Sequence, residues 1–133
     1  YARSHPDKLN FASPGAGSNP HLAVEAIKKR LGVTAAHVPY RGGGEAATAV
    51  VSGEVSVYFG PLSILLPQAQ QGRLRALAVT TPQRLAVAPG LPTIAESGLT
   101  GYQSGNWYGI VVPAKTPREV IAVVRQAAAR TRR

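Results

Sequence analysis

From Leu9 to Thr80 the chain repeats one pattern: a short apolar run, a tight turn, then an amphipathic stretch. Leu9 to Ser13, Thr34 to Val38, Val55 to Phe59 and Leu74 to Thr80 read as strands, with starts about 20 to 25 residues apart. Three helices fill the gaps. The first is capped by Ser18 or Asn19 with Pro20 at its first position, and Ala23, Ala26, Ile27 and Leu31 form its apolar face. The second covers about Glu45 to Ser52, and the third opens at Gly60-Pro61 and runs to about Gln71. Gly32 and Gly53 stop the first two. Spacing this short admits one helical crossover between successive strands, and such crossovers are right-handed. The pattern therefore predicts an α/β fold: a mainly parallel sheet with helices on both faces.

The rhythm breaks at Thr81. Pro82, Pro89 and Pro92 make an irregular connection, and Thr93 to Gly98 reads as a short helical turn. Tyr102 to Asn106 looks extended and polar, like a strand crossing between units, and Tyr108 to Val112 reads as a new apolar strand. Thr116-Pro117-Arg118-Glu119 has the form of a capping box with Pro at the first helical position. The helix it opens should bury Val120, Ile121, Val124 and Ala127 or Ala128. This strand and helix have no evident neighbours of their own.

Parallel sheets bind ligands at the carboxyl ends of their strands. Two such ends carry glycine-rich turns: Ser13-Pro14-Gly15-Ala16-Gly17-Ser18, and Val38-Pro39-Tyr40-Arg41-Gly42-Gly43-Gly44-Glu45-Ala46. Turns of this kind aim unpaired backbone N–H groups in front of a helix, where the helix dipole adds positive potential. A carboxylate or phosphate suits that position. Pro14-Gly15 fits a type II turn, Gly17 allows close backbone approach, and Ser13 and Ser18 offer hydroxyls. Arg41 could donate charge-assisted bonds to an acid. The same residues also suit a tight turn and helix cap without a ligand, and the spacing does not choose between the two. Nucleotide signatures fail, because Pro20 stands where a third glycine is needed and no Gly-Lys-Ser/Thr follows a strand.

Composition narrows the alternatives. The 133 residues suit one compact domain, and the net charge of +9 comes from 15 Lys plus Arg against 6 Asp plus Glu. Five of the Arg (Arg118, Arg125, Arg130, Arg132 and Arg133) lie at the end of the chain. A basic nucleic-acid-binding module needs a positive face interleaved with aromatics, which this distribution does not supply. A phosphate- or nucleotide-using enzyme needs a base or metal ligands near the strand ends. His5, His21 and His37 lack metal-ligand spacing, and Asp7, Glu25, Glu45, Glu54, Glu96 and Glu119 are scattered. His21 and His37 read as packing or capping residues, as do Trp107 and Tyr108 beside the crossing strand. No catalytic residue, metal or cofactor is expected. With no Cys there is neither a disulfide nor a thiolate metal site. No run approaches the roughly 18 apolar residues of a membrane span, and Tyr1 to Pro6 lacks the apolar core of a signal peptide.

The string Leu9-Asn10-Phe11-Ala12-Ser13-Pro14-Gly15-Ala16-Gly17-Ser18, then His21-Leu22 and His37-Val38-Pro39-Tyr40-Arg41-Gly42, resembles the Bug (TctC) family. These are solute-binding receptors of tripartite tricarboxylate transporters. Gly53-Glu54-Val55, Gly72 to Thr80, Leu91 to Gly98 and Trp107 to Ala114 match the same family in the same order. The resemblance implies a periplasmic, two-lobed receptor, not an enzyme, that holds a small carboxylate (a di- or tricarboxylate, amino acid or aromatic acid) between its lobes. Its partner would be a membrane permease, with no nucleic acid involved. Carried onto this chain, the ligand-binding positions are Ser13, Gly15, Ala16, Gly17, Ser18, Tyr40, Arg41, Gly42 and Gly60. Gly60-Pro61 departs from the Asp or Asn that relatives often carry near there. Residues 1–103 would form the second lobe and 104–133 a crossing strand and strand-helix segment of the first. Family members are more than twice this length, so the chain reads as a partial receptor whose tail packs across the lobe or pairs with another copy through Gly109 to Val112. Micromolar affinity needs about −8 kcal/mol, and a net charged hydrogen bond supplies roughly 1.5–3 kcal/mol. One lobe alone should bind weakly or not at all.

Overall fold

The computed structural model describes residues 1–106 and 109–130; the expectations for Trp107, for Tyr108 and for the last three residues lie outside that range. Three strands, β1 (Asn10–Ser13), β2 (Ala36–Pro39) and β3 (Val57–Tyr58), form a parallel sheet in the order β2-β1-β3. Helices α1 (Asn19–Leu31) and α2 (Gly43–Val51) follow β1 and β2, and α3 (Leu62–Gln70) follows β3. A fourth helix, α4 (Arg118–Arg130), closes the described chain. The α/β class with a parallel sheet is as the pattern predicts.

Side chains of β1 alternate between faces, as a strand requires. Phe11 meets His21 and lies under the Lys28 ammonium, both on α1. Ala12 packs with Ala46 and Ala49 of α2 and with Val55. Helices therefore cover both faces of the central strand. Six of the eleven buried apolar residues are alanines and Phe11 is the largest fully buried side chain, so the core is thin and one aromatic ring fills much of it.

Turn residues act as their local chemistry dictates. Gly32 ends α1 in the left-handed region at φ 61°, with its amide on Lys28 O. Gly53 sits at φ 80° after α2. Ser18 is the N-cap of α1, yet its hydroxyl donates to Gly15 O at 2.6 Å and caps no helix amide. The buried face of α1 is centred on Ala23 and Val24, while Ala26 and Leu31 are exposed, so the helix is rotated from the expected face.

Three expected elements do not form. Leu74 to Thr80 is not a strand: among the described residues its only ladder contact is a single parallel bridge between Val79 and Thr93. The Val79 amide donates to Pro92 O and Ile94 to Val79 O, but Pro92 has no N–H with which to extend the ladder. Tyr102 to Asn106 is extended without sheet pairing among the described residues and is pinned by both side-chain and backbone bonds. The Tyr102 hydroxyl donates to Ala23 O at 3.1 Å, the Ser104 amide to Thr80 O at 2.9 Å, and the Asn19 side-chain amide to Gly105 O at 2.8 Å. The described residues Gly109 to Val112 are not a strand either, and Val111 is 91% exposed. An apolar run becomes a strand only when a neighbour supplies hydrogen bonds, and none does so among the described residues.

Helix α4 starts at Arg118, one residue past Pro117, and buries none of its side chains. Ile121, Val124 and Ala128 form a shallow trough with Ile110 and Val112, so the tail packs on itself, while Ile110, Val111, Val120 and Val123 remain exposed. No capping-box bond joins Thr116 and Glu119 among the described residues. Such a box forms instead at Thr93 and Glu96, where the Thr93 amide donates to Glu96 Oε2 at 2.7 Å and the Glu96 amide to Thr93 Oγ1 at 3.0 Å. That Thr-x-x-Glu spacing is legible in the sequence and fixes the turn beyond Pro92.

Candidate anion-binding site

Parallel pairing of β1 with β2 brings the two glycine turns side by side. Ser13 stands opposite Pro39, and the Tyr40 amide donates to Ser13 O at 2.9 Å. A Cβ on Gly15 would reach 4.0 Å from Tyr40 O. The N-termini of α1 and α2 thus emerge next to each other at the carboxyl ends of neighbouring strands, where both helix dipoles place positive potential.

The first turn is largely satisfied from within. Ser13, with no exposed surface, accepts the Gly15 amide at 3.1 Å and lies 2.9 Å from Gly15 O and 2.6 Å from His37 Nε2. The Gly17 amide donates to His21 Nδ1 at 3.0 Å, and the Ser18 amide to Gly15 O at 3.3 Å. The expectation that these amides are unpaired is therefore corrected for Gly15, Gly17 and Ser18. Ala16, exposed at the tip, keeps an amide with no partner among the described residues. Gly15 at φ 139° and Gly17 at φ 76° hold conformations that L residues rarely adopt.

The second turn divides its residues. The Gly42 amide has no partner among the described residues, and Gly42 caps α2 in extended conformation. The Arg41 amide is taken by Glu45 Oε2 at 3.1 Å, while its guanidinium is exposed. Tyr40 turns its hydroxyl away from the first turn, donating to Glu54 Oε1 at 2.8 Å beside Glu45 and Thr48. That bond, then desolvation and the Glu54 charge, raises the Tyr40 pKa above its usual value. Gly60 follows β3 on the other side of β1, and its contact with the second turn runs through Tyr58, whose hydroxyl donates to Gly43 O at 3.4 Å. A Cβ at Gly60 would run into the Tyr58 ring, which explains the glycine.

Sequence reasoning missed the part played by the two histidines. The His21 and His37 rings stack with centroids 3.9 Å apart, Phe11 stacks on His37 at 4.9 Å, and each imidazole holds one end of the first turn. No spacing in the chain announces this, because their partnership is made by β1–β2 pairing. Burial, followed by the neighbouring His21, lowers the His37 pKa below the ordinary histidine value despite an opposing pull from Glu25. The unfolded chain therefore binds more protons than the folded one just below pH ~6.5. Stability should fall as pH drops through that range and level off below the native pKa. Thermal melts between pH 8 and 5 should show the fall in the wild type and a flatter profile in His37→Gln; identical profiles would refute it. Among the described residues no group of His, Asp and Glu could hold a metal ion, and no helix is long and apolar enough to cross a membrane.

The family model for the tripartite tricarboxylate transporter family receptor, TctC, matches residues 1–133. A UPF0065 protein from the tcbD-tcbE intergenic region of Pseudomonas sp. is 40% identical over 121 residues, which is 90% of this chain and 36% of that protein. An R. palustris protein solved with adipate is 34% identical at a TM-score of 0.92, over 97% of this chain and 43% of that one. MatC from Rhodopseudomonas palustris, solved with bound malate, is 33% identical at a TM-score of 0.87, over 98% and 44%. The chain thus spans less than half the length of these relatives.

Proposed function

Because the chain belongs to the tripartite tricarboxylate transporter receptor family, we propose that it forms the second lobe of a periplasmic receptor that captures a small carboxylate for a membrane permease. The observation that carries this reading is the convergence of two helix N-termini on adjacent parallel strand ends, with the Ala16 and Gly42 amides open between them. Relatives solved with adipate and with malate support a carboxylate as the anion. The family is a receptor class, and we assign the chain no reaction. Ser13, Gly15, Ala16, Gly17, Ser18 and Gly42 make the cradle, Arg41 supplies nearby charge, and Tyr40 and Gly60 shape its flanks. Residues 1–103 are the lobe and 104–133 the return segment, whose open apolar side around Ile110, Val112 and α4 would receive the first lobe, or in its absence a second copy.

Binding by one lobe should be weak, with Kd near 1 mM, equivalent to about −4 kcal/mol. Titration of adipate and of malate, followed by amide NMR shifts, should move Gly15, Ala16, Gly17, Ser18 and Gly42 together and leave α4 in place. If neither acid moves these amides, the carboxylate reading of this site fails.

A further inference from the structure

His21 and His37 come from two elements, the first turn of α1 and the middle of β2, yet their rings lie only 10° from coplanar stacking. Each is tied to the anion loop, not merely packed beneath it. His37 Nε2 meets Ser13 Oγ, and His21 Nδ1 accepts the Gly17 amide. The second bond fixes the tautomer of neutral His21: Nδ1 carries the lone pair and Nε2 the proton. Nε2 in turn faces Glu25 Oε1 at 3.8 Å.

We propose that His21 is a proton-operated positioning residue for the first loop: proton uptake at Nδ1 releases the Gly17 amide and strengthens carboxylate capture there. This rests on the carboxylate reading given above. The mechanism is a clash of donors. A solvent proton added to Nδ1 turns the acceptor into an N–H, and two N–H groups cannot share one bond, so the Gly17 amide loses its partner and becomes available to an anion on the exposed loop. The imidazolium also adds positive charge at the N-terminus of α1, beside the open Ala16 amide.

The surroundings decide where the proton goes. From α1, Glu25 attracts it and Lys28 repels it, but the Lys28 ammonium is held on Glu25 Oε1 at 2.7 Å. From β1 come the neutral Ser13 and Phe11, and from β2 only His37. Rings at this stacking distance accommodate one positive charge, since a second would face the first directly. Of the two rings it is His21 whose Nε2 faces the Glu25 carboxylate, and desolvation disfavours the charge on His37, so the single charge falls to His21. Linkage is reciprocal, so an anion on the loop must in turn draw a proton to the pair.

The test uses the full chain with malate as probe between pH 6.0 and 8.0, a window in which malate remains largely a dianion. Without ligand, the Gly17 amide shift should titrate with the same midpoint as the His21 ring protons. With malate, Kd should be tighter at pH 6.0 than at pH 8.0 by about three-fold or more, within the ten-fold per pH unit that one linked proton allows. His21→Asn places a non-titrating acceptor near the Nδ1 position, so it should keep the Gly17 amide held and abolish the pH dependence. His21→Phe keeps the stack and removes the acceptor, so the amide should be free at both pH values. A Gly17 amide indifferent to His21 titration overturns the proposal. So does a wild-type Kd that is unchanged between the two pH values while malate still shifts the loop, which leaves the carboxylate reading intact. Absence of malate shifts at either pH overturns that reading and the affinity claim with it, whereas amide release is judged on the ligand-free titration alone. If His21→Phe fails to fold, the wild type and His21→Asn decide.

Discussion

Phe11→Ala lowers the thermal midpoint by about 10–20 °C. The ring is 1% exposed on the central strand and is the largest fully buried side chain. Removing it costs the transfer energy of the ring and leaves a cavity that an alanine-rich surround cannot fill, about 3–5 kcal/mol in total. Domains of this size hold only about 5–15 kcal/mol against unfolding, and each kcal/mol moves the midpoint by several degrees. Phe11 also stacks on His37 and lies under the Lys28 ammonium, so the loop behind Ser13 should loosen as well. Phe11→Leu keeps most of the volume and should cost less than half as much. Melting curves followed by circular dichroism decide it; a drop of under 3 °C for Phe11→Ala would show that the core closes over the gap.

Gly15→Ala should disable the anion loop more than it damages the fold. At φ 139° an L residue is strained by about 1–3 kcal/mol, and the loop relieves the strain by moving. Gly15 is the hub of that loop: its amide donates to Ser13 Oγ, and its carbonyl accepts the Ser18 hydroxyl and amide. Rotating this residue therefore breaks several bonds at once. The expected result is a loss of malate- and adipate-induced shifts at both turns, with most of the amide spectrum unchanged. Gly44→Ala is the control. It lies in the first turn of α2 at negative φ, with open space around its would-be Cβ. It should be neutral or stabilise by up to about 1 kcal/mol. Retained shifts in Gly15→Ala would show that the loop geometry is dispensable for binding.

Elements specified by their own punctuation were legible in the sequence. Gly32 and Gly53 end helices because only glycine enters the left-handed region cheaply there, and Pro20 marks the start of α1. The strand–turn–helix spacing around β1, β2 and β3 carried the parallel sheet with it. What failed to read correctly depended on distant partners. Leu74 to Thr80 has strand composition, but its neighbour contains Pro92 and supplies no ladder. Gly109 to Val112 has strand composition, but among the described residues it meets side chains of α4 and no strand pairs with it. Ser18 carries capping chemistry, yet its hydroxyl serves Gly15 O because the loop brings that carbonyl closer.

The candidate site divides along the same line. Sequence alone determined that two glycine turns precede two helices, because φ preferences and helix caps are properties of a few adjacent residues. It determined the family too, through motifs that keep their order along the chain. Only the tertiary structure decided which amides stay open. Pairing of β1 with β2 brings residues 24 apart in sequence within 2.6 Å, so that Ser13 meets His37, while the turn into α1 lets His21 take the Gly17 amide. Hydrogen bonds saturate, and whether a backbone donor is free for a ligand depends on what the fold has already placed beside it.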